Sequence, residues 1–329
     1  MKILVTGGAG FIGSNFVRMA LTDKFPDFKV DKLIVLDLLT YAGDKDNLKL
    51  IENDARYQFV QGDIRDLNLA QKLMADVELV VHFAAESHVD RSIEGGSEFV
   101  STNVMGTQVL LDAARSSKIK RFLHVSTDEV YGSISQGSWP EDHPLLPNSP
   151  YSASKAGSDL LVRAYNRTHK LDTIITRCSN NYGHYQFPEK VIPLFITNIL
   201  EGKKVPLYGN GLNIRDWLHV DDHCRGIALA LTKGKSGEVY NIGGGTELTN
   251  LELTNKILKA MNVGEDFIQP VEDRKGHDLR YSVDITKISS QLGYSPQVNF
   301  DQGLLETINW YKNNESWWKK HKNNAPAIK

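Results

Sequence analysis

The most constraining stretch is the first one: a short apolar run, KILVT, breaks into three glycines, Gly7, Gly10 and Gly13, and an amphipathic pattern follows over Phe11–Leu21. A strand, a tight turn and a helix in that order bring backbone N–H groups to a helix N-terminus, where the dipole favours a pyrophosphate. Gly13 lets the helix lie close to the sheet. A glycine turn is a weak signal by itself. Here a second apolar run ends in Asp37, at the separation expected of a carboxylate that holds ribose hydroxyls. A carboxylate there repels a 2′-phosphate, so NAD is expected rather than NADP.

The pattern then repeats. Strands are expected at Lys2–Thr6, Lys32–Asp37, Tyr57–Gln61, Leu79–Phe83, Arg121–Ser126 and Thr173–Arg177. They are almost continuously apolar, as strands covered on both faces must be. Helices are expected between them at Phe11–Leu21, Leu67–Met74, Glu98–Arg115 and Tyr151–His169. The alternation predicts an α/β fold, a Rossmann-type doubly wound parallel sheet. After about residue 180 the character changes. Helices at Glu189–Glu201, Asp222–Leu231, Asn250–Met261 and Gln302–Asn313 mix with strands at Val205–Tyr208, Trp217–Val220 and Val239–Ile242. We read residues 1–180 as a cofactor domain carrying the catalytic residues and 181–329 as a smaller mixed α/β substrate-binding domain, with a soft boundary and segments that can interleave. The pieces NNYGHYQFPEK and YGNGLN read as loops bordering a cleft. The tail from Lys312 reads as polar and frayed, with Trp317 and Trp318 packed on the surface.

Composition excludes several classes. With 38 Lys+Arg against 40 Asp+Glu, the net charge of −2 argues against a nucleic-acid binder or a polybasic membrane anchor. No apolar run reaches the roughly 18 residues of a membrane span, and the N-terminus reads as a first strand rather than a signal peptide. Two cysteines, Cys178 and Cys224, make no disulfide scaffold and suit a reducing, cytoplasmic setting. HVDDH (residues 219–223) is read as a strand end and an Asp N-cap rather than a metal site, so no metal is expected. His82 is read as a buried, hydrogen-bonded core histidine.

Tyr151 and Lys155 stand four apart at the start of a helical pattern, on one face. Lowering a phenol by about three pKa units takes roughly 4 kcal/mol. An ammonium about 4 Å away supplies a comparable amount at an effective dielectric near 20. Such a pair can make a phenolate base, helped by a nicotinamide cation. The run Ser126-Thr127-Asp128-Glu129 ends a central strand at the edge where open α/β sheets bind ligands. Neighbours in a strand face opposite ways, so both acids serve one site only if the chain leaves the strand at Asp128. Two adjacent carboxyls also push their pKa values apart, one to donate a proton and the other to accept one. Asp63, after the third strand, fits either a place beside an adenine ring or simple turn chemistry.

TGGAGFIGSNF, DLLTYAG, AAESHVDRSI, STDEVYG, SPYSASKAGSD, TRCSNNYG, LYGNGLNIRDWLHVDDH, VYNIGG and DRKGHDLRY together resemble the dTDP-glucose 4,6-dehydratase branch of the extended short-chain dehydrogenase/reductases, over residues 1 to about 315. The glycines and the Tyr–Lys pair are shared by the superfamily, whereas the Thr-Asp-Glu triplet with AAESHVDRS is specific to the dehydratases. The resemblance implies a cycle on dTDP-glucose. Tyr151 takes the O4 proton as the C4 hydride leaves for NAD, Glu129 takes the C5 proton, Asp128 protonates the departing C6 hydroxyl, and the hydride returns to C6. Thr127 would bond O4, and Lys155 would bind the nicotinamide ribose. The same carry-over puts Gly7, Gly10, Phe11, Ile12, Gly13, Asp37, Thr40, Asp63, Ile64, Phe83, Ala84, Ala85, Thr102, Cys178 and Asn181 at the cofactor. It puts Ser87, His88, Asn180, Lys190, Val191, Leu207, Tyr208, Arg215, Asn250, Arg274 and His277 at the substrate. It also implies a homodimer in which Glu98–Arg115 and Tyr151–His169 form a four-helix bundle across the two-fold. A nucleotide-sugar 4-epimerase, or a dehydratase acting on a UDP- or GDP-sugar, is the alternative.

Overall fold

The structure is a computed structural model that describes residues 1–273 and 277–324. Seven parallel strands form the central sheet: β1 (Lys2–Thr6), β2 (Lys32–Asp37), β3 (Tyr57–Gln61), β4 (Leu79–His82), β5 (Arg121–Thr127), β6 (Thr173–Cys178) and, from much later in the chain, β10 (Val239–Ile242). Their spatial order is β10-β6-β5-β4-β1-β2-β3. The chain runs outward from β1 to β3, returns, and runs outward again from β4. The order therefore reverses beside β1, and a crevice opens at the strands' carboxyl ends between β1 and β4. Thr6 pairs with both Leu36 and His82, and His82 with His124, so β5 and β6 run three residues beyond the ends of β1 and β4, to Thr127 and Cys178, beside that crevice.

Helices cover both faces. Helix α1 (Phe11–Leu21) and α8 (Val220–Lys233) pack on one side. On the other lie α2 (Leu67–Met74), a run from Ser97 to Ser116 and α6 (Pro150–His169). The run, expected as one helix over Glu98–Arg115, consists of α4 (Ser97–Phe99), a π-helical turn (Val100–Met105) and α5 (Gly106–Ser116). The short α3 (Val89–Glu94) precedes it.

The chain crosses residue 180 and later comes back, because β10 and α8 belong to the large sheet. Two smaller sheets lie beyond its carboxyl edge. One joins β7 (Asn180–Tyr182), β9 (Ile214–His219) and β11 (Glu247–Thr249); the other joins β8 (Val205–Tyr208) and β12 (Ile268–Val271). They pack with α7 (Val191–Leu200), α9 (Asn250–Ala260) and α11 (Phe300–Asn313) around Tyr182, Trp217, Leu253 and Tyr311. Helix α10 (Thr286–Leu292) joins the α1/α8 face.

Over its described residues, to Asn324, the tail is not frayed. Glu315–Asn324 forms α12, and Trp317 and Trp318 are buried in the core of the smaller lobe, 9% and 1% exposed. The lysines that make the segment read as polar are anchored: Lys320 pairs with Asp44 and Asp46, and Lys322 with Glu201. The start of α8 also differs from expectation. Its N-cap is His219, whose Nδ1 accepts from the Asp221 N–H at 3.2 Å, not an aspartate. The aspartates are used elsewhere. Asp221 accepts from Asn15, and Asp222 accepts from the N–H groups of Gln297 and Val298. Among the described residues, no helix is long and apolar enough to cross a membrane, and no cluster of His, Cys, Asp or Glu could hold a metal ion.

Candidate active site

A cleft of about 330 Å³ opens at the carboxyl edge of the sheet, over the point where the strand order reverses. Its floor is the glycine turn. Gly7 has φ +70, and a Cβ on it would lie 2.5 Å from the Ala84 nitrogen. A Cβ on Gly13 would lie 2.2 Å from the Gly7 carbonyl oxygen. Only bare backbone lets the two strand ends and the helix start close to this distance. Asp37 stands beside the turn. Its carboxylate accepts from the N–H groups of Ala9 at 2.9 Å and Leu39 at 2.8 Å. Each carboxylate oxygen keeps a further lone pair for a hydroxyl. Burial raises its pKa. A dinucleotide fits this cradle: N–H groups at a helix start for the phosphates, and a carboxylate a strand away for a ribose.

The opposite wall carries the acids. Strand β5 ends at Thr127, and the chain turns at once into a 3-10 helix, Asp128–Tyr131. Thr127 caps that turn by accepting from the Glu129 N–H at 3.2 Å and donates to Asp128 at 3.3 Å. The exit from the strand falls where one shared site requires it, and both carboxyls line the cleft. Asp128 is 2% exposed, and its Oδ2 has no partner. Burial, then the neighbouring Glu129 charge, then Asp216, raise its pKa well above the ordinary carboxylate value. Asp128 therefore holds its proton more readily than an ordinary carboxyl, beside a second acid.

Tyr151 and Lys155 enter from α6, whose start is fixed by a Ser149–Ser152 capping box and Pro150 in the first turn. Both side chains line the cleft and both are buried. The spacing expected to yield a phenolate does not do so unaided. Burial first, then Glu129, hold the phenol well above 10. The ammonium donates to the Val125 carbonyl at 2.8 Å, and its own burial lowers it to about 8. A second cation is needed beside the ring.

The cleft gathers every residue expected at the cofactor, from Gly7 to Asn181, together with Thr127, Asp128, Glu129, Tyr151, Lys155, Ser87, Asn180 and Lys190. Asp63 lines it, and its carboxylate accepts from the Arg65 N–H at 2.8 Å, the turn chemistry expected, and from the Arg65 guanidinium at 2.6 Å. Cys178 lines it as a buried thiol pushed up by burial. His82 is held between the hydroxyls of Thr6 and Thr107, as expected of a core histidine.

The remaining candidates lie off the cleft. His88 caps α3 and stands 3.7 Å from Glu189, and Val191 opens α7. Leu207 and Tyr208 are on β8, Asn250 opens α9, and His277 pairs with Asp273 near the Tyr208 ring. Arg215, on β9, donates to the carbonyls of Ile214 and Asp278 and lies 4.3 Å over the Tyr281 ring. Arg274 lies outside the described residues.

Sequence reasoning missed other lining residues: Tyr41, Glu86, Gln186, Phe187 and Glu189. Gln186, Phe187 and Glu189 belong to a loop already read as bordering a cleft, so position was available but not role. Arg91 sits 3.7 Å over the Tyr41 ring and donates to Glu189 at 2.9 Å, tying three segments of the rim together.

The model of the family described as GDP-mannose 4,6 dehydratase matches residues 4–307. A dTDP-glucose 4,6-dehydratase of Actinoplanes sp. is 60% identical over 319 residues, 97% of this chain and 100% of the relative. The chain belongs to the nucleotide-sugar 4,6-dehydratase family. Among solved structures, the dehydratase DesIV of Streptomyces venezuelae, with NAD and TYD bound, superposes with a TM-score of 0.97 at 59% identity, covering 98% of this chain and all of its own. A UDP-glucose 4-epimerase from Thermotoga maritima, solved with UDP-glucose, shares the fold at 30% identity and a TM-score of 0.86, covering 96% of this chain and 100% of that one. This dehydratase family thus shares its scaffold with epimerases.

Proposed function

We propose that the cleft converts dTDP-glucose to dTDP-4-keto-6-deoxyglucose. The observation that carries the reading is the meeting of Thr127, Asp128, Glu129, Tyr151 and Lys155 with the glycine turn and Asp37 in one cleft. Bound NAD+ supplies a hydride acceptor at C4, a hydride donor at C6 and the missing positive charge beside the phenol. Gly7 to Gly13 and Asp37 hold it, and Lys155 orients its ribose. Thr127 bonds the sugar O4 and Tyr151 takes the O4 proton. The 4-ketone makes the C5 proton acidic. Glu129 removes that proton while Asp128, kept protonated by burial, gives its own to the C6 hydroxyl, which departs as water. The net change is loss of water without net redox, so the cofactor stays bound.

Residues 1–180 carry NAD and the catalytic groups in this reading, and 181–329 hold the nucleotide diphosphate. Arg215 and Arg274 are the cations suited to phosphate. The enzyme works in the cytoplasm as a homodimer. The exposed apolar side chains of Val100, Met105 and Leu160, 52%, 56% and 56% accessible, support the bundle expected of α4–α5 and α6.

The test is incubation with dTDP-glucose, following the absorbance the keto-sugar develops in alkali. Turnover of dTDP-glucose is expected. Silence there, with turnover of a UDP- or GDP-sugar, would favour the alternative substrate.

A further inference from the structure

Behind Lys155 lies a buried charge cluster that the cycle above does not use. His124 Nε2 stands 3.4 Å from Lys155 Nζ and 3.4 Å from Asp159 Oδ1. Asp159 Oδ2 accepts from Arg177 Nε at 2.9 Å. His124 and Asp159 are 0% and 1% exposed in their side chains. The cluster thus holds two cations, Lys155 and Arg177, against one carboxylate. The imidazole is neutral, since burial and then the Lys155 charge lower it to about 4. A neutral imidazole cannot serve both neighbours through one nitrogen: Nε2–H donates to Asp159, and a bare Nε2 accepts from Lys155. Its other nitrogen, Nδ1, has no partner.

We infer that Asp159 is a positioning residue that keeps Lys155 an ammonium, acting across His124 and in competition with Arg177. The inference rests on the catalytic reading of Tyr151 and Lys155. Burial works against the ammonium, and the Asp159 carboxylate, beside His124 in the same cluster, is the main charge that opposes it. Arg177 draws on the same carboxylate and so limits the effect.

The other groups facing the cluster are accounted for. From β4 comes neutral His82, its ring 5.1 Å from that of His124; from β6 come Arg177 and the buried Cys178 thiol. The 3-10 turn brings Asp128, Glu129 and Tyr131, whose hydroxyl accepts from Arg177 at 2.8 Å. The segment before α6 brings Glu141, whose carbonyl accepts from Arg177 at 3.3 Å, and α6 itself brings Tyr151.

Two substitutions act in opposite directions. Asp159→Asn removes the anion, so Lys155 should lose its proton at a pH lower by at least about one unit. Arg177→Gln frees the anion for Lys155 and should move that loss upward. The readout is the Lys155 side-chain resonance in carbon-13-lysine-labelled holoenzyme, assigned with Lys155→Arg, beside the pH profile of NAD reduction by dTDP-glucose. Opposite shifts of both the resonance and the alkaline limb are expected. If Asp159→Asn leaves too little folded protein, Arg177→Gln alone decides by the sign of its shift. A Lys155 titration unmoved in these variants overturns the inference. A resonance that shifts while the alkaline limb does not, in enzyme that still turns over, overturns the catalytic reading of Lys155 instead.

Discussion

Trp317 donates its indole N–H to Asn47 Oδ1 at 2.9 Å, linking the last helix to the loop that follows β2. Asn47 in turn donates to the Ala9 carbonyl at 2.8 Å, and Ala9 donates to Asp37. Asp44, in the same loop, binds both Lys320 and His321. Helix α12 therefore braces the glycine turn proposed to hold the cofactor. Trp317→Ala should cost about 3–5 kcal/mol, the range for a buried large aromatic, and should loosen NAD. Trp317→Phe keeps most of the packing and removes the N–H, so it should cost less stability while still loosening NAD. Denaturant unfolding and NAD retained after dialysis measure the two effects separately.

That brace marks the limit of what the sequence discloses. The parallel sheet was legible because its strands are apolar on both faces and separated by helical periods. The candidate catalytic residues Thr127, Asp128, Glu129, Tyr151 and Lys155 were legible because strand-end position and a four-residue spacing are local properties. The tail was not, because lysines dominate its composition, and the partners of Lys320 and Lys322, Asp44 and Glu201, are remote in the chain. The π turn at Val100–Met105 was equally hidden. It places Asn103, which accepts from the Glu86 N–H and donates to Ser154, and Thr102 at the cleft. A π turn of six residues is too short to show a period of its own in the apolar pattern. The residues expected at the substrate on β8, β9 and α9 lie on elements whose short runs carry little signal of a shared surface.

Glu129→Gln should abolish C5 deprotonation while O4 proton transfer continues. Incubated with dTDP-glucose in deuterated water, the variant should show NAD reduction with almost no deuterium at C5. Asp128→Asn should leave C5 exchange and slow water loss by about 100-fold or more, the usual scale for a general acid. Deuterium entering C5 at the normal rate in Glu129→Gln would assign the base elsewhere.

The exposed Val100, Met105 and Leu160 test the homodimer. Leu160→Glu places a charge on the face expected to be buried between subunits, where an unpaired charge is strongly unfavourable. Light scattering should give a mass of two chains for the native protein and one for the variant. Equal masses would move the interface to another face.

Buried imidazoles set the response to acid. Burial lowers His124 to about 4 and His223 to about 3, from an ordinary 6.5. At pH 7 each is neutral in the folded chain and mostly neutral in the unfolded one, and the effect on stability is small. Below 6.5 the unfolded chain takes up a proton at each position, while the folded chain does so only near 4 or 3. The unfolded state then binds more protons, so stability falls with pH through that window, by about 1.4 kcal/mol per pH unit for each group. Asp159, held at about 2 by Arg177 and His124, extends the loss below the ordinary carboxylate value of 3.8. His223 can be tested alone, because one ring nitrogen bonds Asn181 at 2.9 Å and the other has no partner. His223→Gln keeps a polar group there and removes the titration. Between pH 6 and pH 4 the variant's unfolding free energy should fall less steeply than the native chain's, by about 1.4 kcal/mol per pH unit. Parallel curves would mean that His223 takes up its proton in the folded state as readily as in the unfolded one.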